Sequence, residues 1–379
     1  MKIIFAIDSF KGSLSSMEAG FAAERGAKAV FPDAQTVVLP VADGGEGTVD
    51  ALIAGLGGET VYLSVTGPLG EPVWAKYGVV REKSLAVMEM AQSSGLPLVP
   101  EGKRDPRNTT TYGLGEMIRD AAKRGCHEFI IGIGGSATND GGIGMLSALG
   151  ARLLDKDGQE AGIYGRDVEK IEEIDLSTLD PALADCRFRI ACDVNNPLCG
   201  ERGASAIFGP QKGATPEIVA RLDAALAHFA RVAEKTIGQD NSRLPGAGAA
   251  GGLGFAFKSF LGAVLRPGIE IVLEAVELAR HAQGADVVVT GEGRMDAQTA
   301  MGKAPSGIAS IGKAAGAKVI GLCGSMGDGA EACNDAGIDA IFPILTAPVT
   351  LAQAMDPETA AQNMERTARQ VFLLLRSLQ

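Results

Sequence analysis

Along the chain, short uniformly apolar runs alternate with segments whose apolar positions recur every three or four residues. Uniformly apolar runs of strand length suit strands covered on both faces, and the second pattern suits amphipathic helices laid over them. The alternation therefore predicts an α/β protein with largely buried strands. Ile3 to Ile7 reads as the first strand. Ser15-Ser16-Met17-Glu18 then supplies a capping box and opens a helix with Met17, Phe21, Ala22 and Ala29 as its apolar positions. A second strand is expected over Thr36 to Val41 and a short helix over Val49 to Leu56, stopped by Gly57-Gly58.

From Tyr62 to Met90 the style changes to β-rich runs broken by turn signals, and a second domain is expected to begin there. Leu114, Met117, Ile118, Ala121 and Ala122 line one face of a helix ending near Gly125, and Glu128 to Ile133 follows as a strand. Residues 155–190 are charged and weakly patterned; Arg189 to Cys192 reads as a strand running into Asp193, and Ile218 to Thr236 as a long helix. The tail returns to regular alternation: strand Asp286 to Thr290, loop Gly291 to Gly302, helix Pro305 to Ala315, strands Lys318 to Leu322 and Ile338 to Leu345, and a closing helix through Leu375. Pro305 suits a first helical turn, where its missing N–H is not needed. Because the two ends share a style that the middle lacks, the simplest architecture is two α/β domains. One is discontinuous, made of residues 1–66 and 284–379, and the second, residues 67–283, is inserted into it.

Bulk properties narrow the function classes. A chain of 379 residues can hold two or three domains of ordinary size. The net charge of −11 argues against nucleic acid or an anionic membrane as partner, since both need a basic face. No uncharged apolar run approaches the ~18 residues of a membrane span, and the opening MKIIFAIDSF is too short for a signal-peptide core, so a cytoplasmic protein is expected. Six cysteines, at 126, 186, 192, 199, 323 and 333, show no CxxC spacing and read as reduced core thiols. The three histidines, His127, His228 and His281, are far from one another and from the glycine clusters, which disfavours His-based metal or triad chemistry.

Four glycine-dense segments carry the candidate chemistry: Ala42 to Thr48, Gly132 to Gly142, Pro245 to Gly254 and Thr290 to Thr299. Three of them directly follow an expected strand, and loops at the carboxyl ends of strands are where α/β sheets bind ligands. Glycine lets backbone N–H groups converge on an anion, so even an acidic chain can hold phosphate; the same residues also make plain tight turns. The standard nucleotide motifs do not explain these segments. Each Gly-Lys pair, at 102, 302 and 312, is followed by Arg or Ala, which excludes a Walker A loop. Gly246, Gly248 and Gly251 match GxGxxG by letter, yet the preceding QDNSRLP is no buried strand, so a nicotinamide-dependent oxidoreductase is disfavoured. Asp8, Asp43, Asp140, Asp193 and Asp296 each fall at or just past an expected strand end, where carboxylates cap turns, hold Mg²⁺ or accept a proton from a hydroxyl. Lys11, in DSFKGSL, can meet a carboxylate or a phosphate as a point charge.

Taken in order, the segments at Asp8 to Leu14, Ala42 to Thr48, Gly134 to Gly142, Ala191 to Leu198, Phe208 to Gly213, Gly248 to Gly254, and Thr290 to Asp296 with Gly302-Lys303 resemble those of the bacterial type I glycerate kinases. One departure is Ile7, where the family's pattern has proline before the Asp-Ser pair. The resemblance implies an ATP- and Mg²⁺-dependent kinase that phosphorylates a hydroxyl of D-glycerate, with 2-phosphoglycerate favoured over 3-phosphoglycerate as product. It also implies an active site in the cleft between two α/β domains. On that basis Asp193 is expected as the base and Lys11 as the cation that meets the glycerate carboxylate or the transferring group. Substrate and phosphate contacts are expected from Asp8, Ser9, Asp43, Gly44, Gly45, Gly134, Gly135, Ser136, Asn139, Asp140, Gly291, Glu292 and Asp296, with Asp43 and Asp296 as metal candidates. The rival to catalysis is a sensor that binds a small acid through the same loops; the oligomeric state is not readable from the chain.

Overall fold

A computed structural model describes residues 1–45 and 47–378; Glu46, part of the second motif, lies outside the described residues. In chain order the strands are β1 (Lys2–Ile7), β2 (Gln35–Pro40), β3 (Glu59–Thr66), β4 (Pro72–Val80), β5 (Leu85–Glu89), β6 (Glu128–Gly132), β7 (Arg152–Leu154), β8 (Glu173–Asp175), β9 (Arg187–Ala191), β10 (Val264–Arg266), β11 (Val287–Met295), β12 (Lys318–Met326) and β13 (Ala340–Pro343). They and the intervening helices make an α/β protein that divides into two compact units. The first holds Met1–Asp43, Asp50–Gly57 and Ile269–Gln379, the second Gly44–Val49 and Gly58–Gly268.

The first unit is built on a parallel five-stranded sheet in the order β13-β12-β11-β1-β2. Every residue from Ile3 to Ile7 is fully buried, as expected of a central strand covered by helices on both faces. Successive connections run to opposite sides of β1, first to β2 and later to β11, so β1 and β11 flank the switch point of a doubly wound sheet. Ile7 lies opposite Gly291 and Pro40 in register, so the residues leaving β1 and β2 emerge at one edge, beside β11.

The helix Ser16–Lys28 opens with the expected capping box between Ser15 and Glu18. Its buried face differs from the sequence reading. Phe21 is 45% exposed, and the inward positions are the small residues Ala19, Gly20, Ala22, Ala23, Gly26 and Ala27. Close approach explains this: a Cβ on Gly26 would stand 2.3 Å from the carbonyl oxygen of Glu365 in the helix Pro357–Ser377, and one on Gly20 would stand 2.5 Å from Val38. A bulky stripe cannot fit between elements packed that tightly.

The second unit carries a mixed sheet in the order β10-β9-β6-β5-β4-β3, antiparallel through β3, β4 and β5 and parallel from β5 to β10. Glu89, Gly132, Ala191 and Arg266 lie in register at the carboxyl ends of the four parallel strands, so the segments after them leave from one edge. Within the weakly patterned stretch, β8 pairs antiparallel with β7, which lies just before it. Leu114, Met117, Ile118, Ala121 and Ala122 are all buried in the helix Tyr112–Lys123.

Two boundaries from the sequence need correcting. β3 was expected in the terminal domain, but eight residue pairs join it to β4, so the second unit resumes at Gly58 instead of residue 67. Residues 269–283 pack with the first unit, although apolar periodicity alone could not assign them. All six cysteines are free thiols, and no helix among the described residues is long and apolar enough to cross a membrane.

Candidate active site

At the switch point of the first unit, Asp8 follows the last residue of β1 and its N–H donates to Gly291 O at 2.8 Å. Its carboxyl is pushed up to about 7, first by burial and then by the carboxylates of Asp43 and Glu292. The Ser9 N–H, donating to Oδ1 at 2.7 Å, and the Lys11 ammonium hold it back. Lys11 Nζ stands 3.8 Å from Asp43 Oδ2, an exposed pair that contributes little to stability and leaves Lys11 available to a ligand.

Glu292 was expected in a loop beyond the strand, as was Gly291. β11 instead runs on to Met295, so both are strand residues. Gly291 has a packing reason to be glycine: a Cβ there would meet Leu322 O of β12 at 2.1 Å. Glu292 reaches Thr299, whose hydroxyl donates to Oε1 at 2.6 Å, and that hydroxyl in turn accepts the Asp296 N–H at 3.0 Å. Burial raises the Glu292 carboxyl above its usual range against the opposing Thr299 bond and the Lys303 ammonium. Asp296 also caps its own turn through Gln298 N at 2.9 Å and faces Arg294 Nε at 3.7 Å. Asp8, Ser9, Lys11, Asp43, Glu292 and Asp296 are thus one electrostatically coupled group, to which the structure adds Lys303. Lys303 closes the last of the family-like segments, but the sequence alone assigns it no role.

In the second unit three of the glycine-dense segments converge, and most of their glycines are there so that backbones can touch. A Cβ on Gly132 would lie 2.2 Å from Gly44 O, one on Gly44 2.6 Å from Ala191 Cβ, and one on Gly251 2.1 Å from Thr138 O. Gly248 is packed against Pro197 O in the same way, and no strand precedes it, so the GxGxxG letters have neither the position nor the space for a dinucleotide. The glycines that face outward are Gly134 and Gly135: both are exposed, Gly134 has nothing within 4 Å of a would-be Cβ, and Gly135 has φ +71°. Their amides and that of Ser136 enter no backbone hydrogen bond among the described residues, while Leu96 N and Ala137 N tie the turn down through Gly135 O and Ser94 O. Such a turn presents N–H dipoles to an anion.

Behind that turn lies Lys212, 2% exposed, which sits in the Phe208 to Gly213 segment but is given no site role by the sequence alone. Its ammonium donates to Ser136 Oγ at 2.8 Å and to Thr138 O at 2.6 Å, and burial pushes its pKa down to about 7 against the opposing charge of Asp140. Asp140 was expected to contact ligand. It is instead fully buried and accepts from Thr111 N (2.8 Å), Thr111 Oγ1 (2.7 Å), Gly142 N (3.1 Å) and Gly144 N (3.3 Å). Those four donors occupy its lone pairs, so Asp140 fixes the loop from within. Asn139 is equally buried; its Nδ2 donates to Ser205 Oγ at 3.0 Å, and its Oδ1 has no partner among the described residues. Asp193, exposed just past β9, accepts the Gly268 N–H at 3.0 Å. Glu89 at the end of β5 accepts Val49 N at 3.0 Å and was not singled out from sequence.

Among the described residues no three His, Cys, Asp or Glu side chains form a metal-holding group. Mg²⁺ is usually held by one or two carboxylates together with substrate phosphates and water. The mutual repulsion of Asp8, Asp43 and Glu292, hard oxygen donors sharing one edge, is chemistry that a divalent cation relieves, so the donor set fits.

Comparison with known proteins agrees over the whole chain. A family profile described as the glycerate kinase family matches residues 3–376. The chain is 52% identical over 371 residues to a glycerate kinase of Bacillus subtilis, covering 98% of this chain and 97% of the relative. It is 50% identical over 375 residues to the glycerate 2-kinase of Escherichia coli, covering 99% and 98%. The crystal structure of a Salmonella typhimurium LT2 protein designated glycerate kinase 2 superposes with a TM-score of 0.92 at 48% identity, covering 100% of this chain and 98% of that one. This chain belongs to the glycerate kinase family.

Proposed function

We propose that the protein transfers the terminal phosphoryl group of ATP to the 2-hydroxyl of D-glycerate, yielding 2-phosphoglycerate and ADP. Membership of the family carries the kinase activity toward glycerate. The choice of the 2-hydroxyl follows the name of the Escherichia coli relative, and ATP is the phosphoryl donor that the family resemblance implies.

The observation that carries the chemistry is Asp8. A substrate hydroxyl must lose its proton as its oxygen attacks phosphorus, and an acceptor is most effective when its pKa lies near the working pH. Asp8, raised to about 7 at the switch point, meets that condition. We therefore assign the base to Asp8 in place of Asp193, whose carboxylate we keep for orienting substrate from the edge after β9. Lys11 supplies a mobile positive charge for the glycerate carboxylate or for charge developing on the transferring group. In the second unit the backbone amides of the turn Gly134 to Ser136 hold nucleotide phosphate, the turn being fixed from behind by Lys212 and Asp140. Asp43, with Asp296 or Glu292 as companion, would hold Mg²⁺, which would supply neutralisation of phosphate charge.

The test is ADP release in a coupled assay with glycerate, ATP and Mg²⁺, with the product identified by ³¹P NMR. The expected result is turnover giving the 2-phosphate ester. Accumulation of the 3-phosphate ester would overturn the regiochemistry, and binding of glycerate without ADP release would favour a sensor.

A further inference from the structure

On the second unit, away from the outward turn at Gly134, lies a concavity of about 290 Å³ floored by Leu222 and walled by Arg107, Asn108, Arg166, Glu169 and Arg221. Three guanidiniums around one hollow are unexpected in a chain of net charge −11. Nothing in the proposed chemistry uses them.

Their existing partners do not exhaust them. Arg107 spends Nε and Nη2 on Asp105, with Nη2 2.7 Å from Oδ2, and Arg221 donates both Nε, at 3.0 Å, and Nη2, at 2.5 Å, to Glu169. Arg166 bonds the side-chain oxygen of Asn108 and stacks on Tyr164 with its guanidinium carbon 4.5 Å from the ring centre. A guanidinium carries more N–H donors than these contacts consume, so all three keep donors for another acceptor. Two carboxylates, Asp105 and Glu169, face three cations, and the charges of Arg107 and Arg221 oppose each other across the hollow. Ion pairs and stacking also hold the planes still, which lowers the ordering cost of binding.

We propose that this hollow binds a small phosphorylated anion. Planar guanidinium groups match phosphoryl oxygens in geometry as well as charge. The volume sits at the small end of the range of ligand pockets, roughly 300–1,000 Å³, and so suits a three-carbon phosphate ester or inorganic phosphate better than a nucleotide. The back of the hollow is continuous with the glycine-rich segment. Gly165 N donates to Thr109 O at 3.2 Å, Thr109 Oγ1 donates to Ala137 O at 3.1 Å, and a Cβ on Gly165 would stand 3.1 Å from Asn139 O. An anion seated there is mechanically connected to the loop that presents Gly134 and Gly135.

The proposal is tested by direct binding, independently of turnover. Inorganic phosphate, 2-phosphoglycerate and 3-phosphoglycerate are each titrated calorimetrically into the intact enzyme and into Arg166→Glu and Arg221→Glu variants, with thermal melts to verify folding. Both arginines are exposed, so folding should survive; Arg166→Gln serves as a milder variant that removes the charge alone. The expected result is saturable binding of at least one probe, weakened by about tenfold or more in each charge-reversed variant. The tightest probe identifies the occupant. Absence of saturable binding, affinity unchanged in the folded variants, or loss of ADP release in Arg166→Gln with no phosphate added would each overturn a separate anion site.

Discussion

Asp8 in the first unit leaves β1 half-buried beside two other carboxylates, with one backbone donor at 2.7 Å, and its carboxyl rises to about 7. Asp140 in the second unit is fully buried and has four donors around it. Both are aspartates in the segment that follows a parallel strand, Asp8 directly after β1 and Asp140 further along the loop after β6, and both segments are crowded with small residues. What separates them is satisfaction. A carboxylate whose lone pairs are occupied is part of the scaffold, whereas one left partly unsatisfied among like charges holds free energy that a substrate proton or a cation can release.

The largest expected effect tests that contrast directly. Asp8→Asn should lower kcat by ~10²- to 10⁴-fold and abolish the rise of rate with pH through about 7. Its stability should move the other way. The folded-state pKa of Asp8 is raised, so between the ordinary carboxylate range and about 7 the folded state holds a proton that the unfolded state has lost; stability falls as pH climbs through that window. Asn removes that fall, so at pH 8 the variant should melt no lower than the parent while being nearly inactive. Asp140→Asn should instead place an amide N–H₂ against donors from Thr111, Gly142 or Gly144 and destabilise the fold by ~2–4 kcal/mol. Near-normal turnover in Asp8→Asn would return the base to Asp193, which Asp193→Asn then tests in the same assay.

The glycines offer a second, smaller contrast. Gly132→Ala drives a methyl to 2.2 Å from the main-chain oxygen of Gly44 and should cost several kcal/mol in a melting experiment, because backbone must shift. Gly134→Ala meets open space and should change stability by less than about 0.5 kcal/mol. Equal melting losses at the two positions would remove the distinction between packing and presenting glycines.

That distinction also marks how far the chain could be read. Local rules carried the strands β1, β2, β6, β9 and β12, the Ser15–Glu18 capping box and the inward face of Tyr112–Lys123, because burial there follows the pattern of a single element. They also brought Asp8, Asp43 and Asp193 to strand ends, where the sheets place them. They failed where the partner is remote. Phe21 faces outward because Gly26 must meet Glu365, hundreds of residues away, and β3 belongs to the second unit because it pairs with β4. A lysine in Gly-Pro-Gln-Lys-Gly gives no hint that its ammonium lies buried against Ser136 and Thr138. Composition told correctly that glycine mattered, yet only through-space distances separate Gly291, wedged against Leu322, from Gly134, open to solvent.

The finest probe of the contrast is Asp43→Asn, which leaves Asp8 in place and changes its surroundings. The Asp43 carboxylate is one of the charges that raises Asp8, and it also holds Lys11 at 3.8 Å. Removing it deletes a repulsion and frees a cation, and both changes favour ionised Asp8. The acidic limb of kcat/KM should therefore move to lower pH, by about half a unit for charges separated through a partly aqueous path. Asp43 is half exposed, so salt should shrink the displacement. A role for Asp43 in holding Mg²⁺ would add a rise in the Mg²⁺ concentration needed for half-maximal rate, which saturating metal removes while the displaced limb remains. A limb that stays fixed under saturating metal and low salt would mean that the titrating base does not feel Asp43, and the assignment of that base to Asp8 would fail with it.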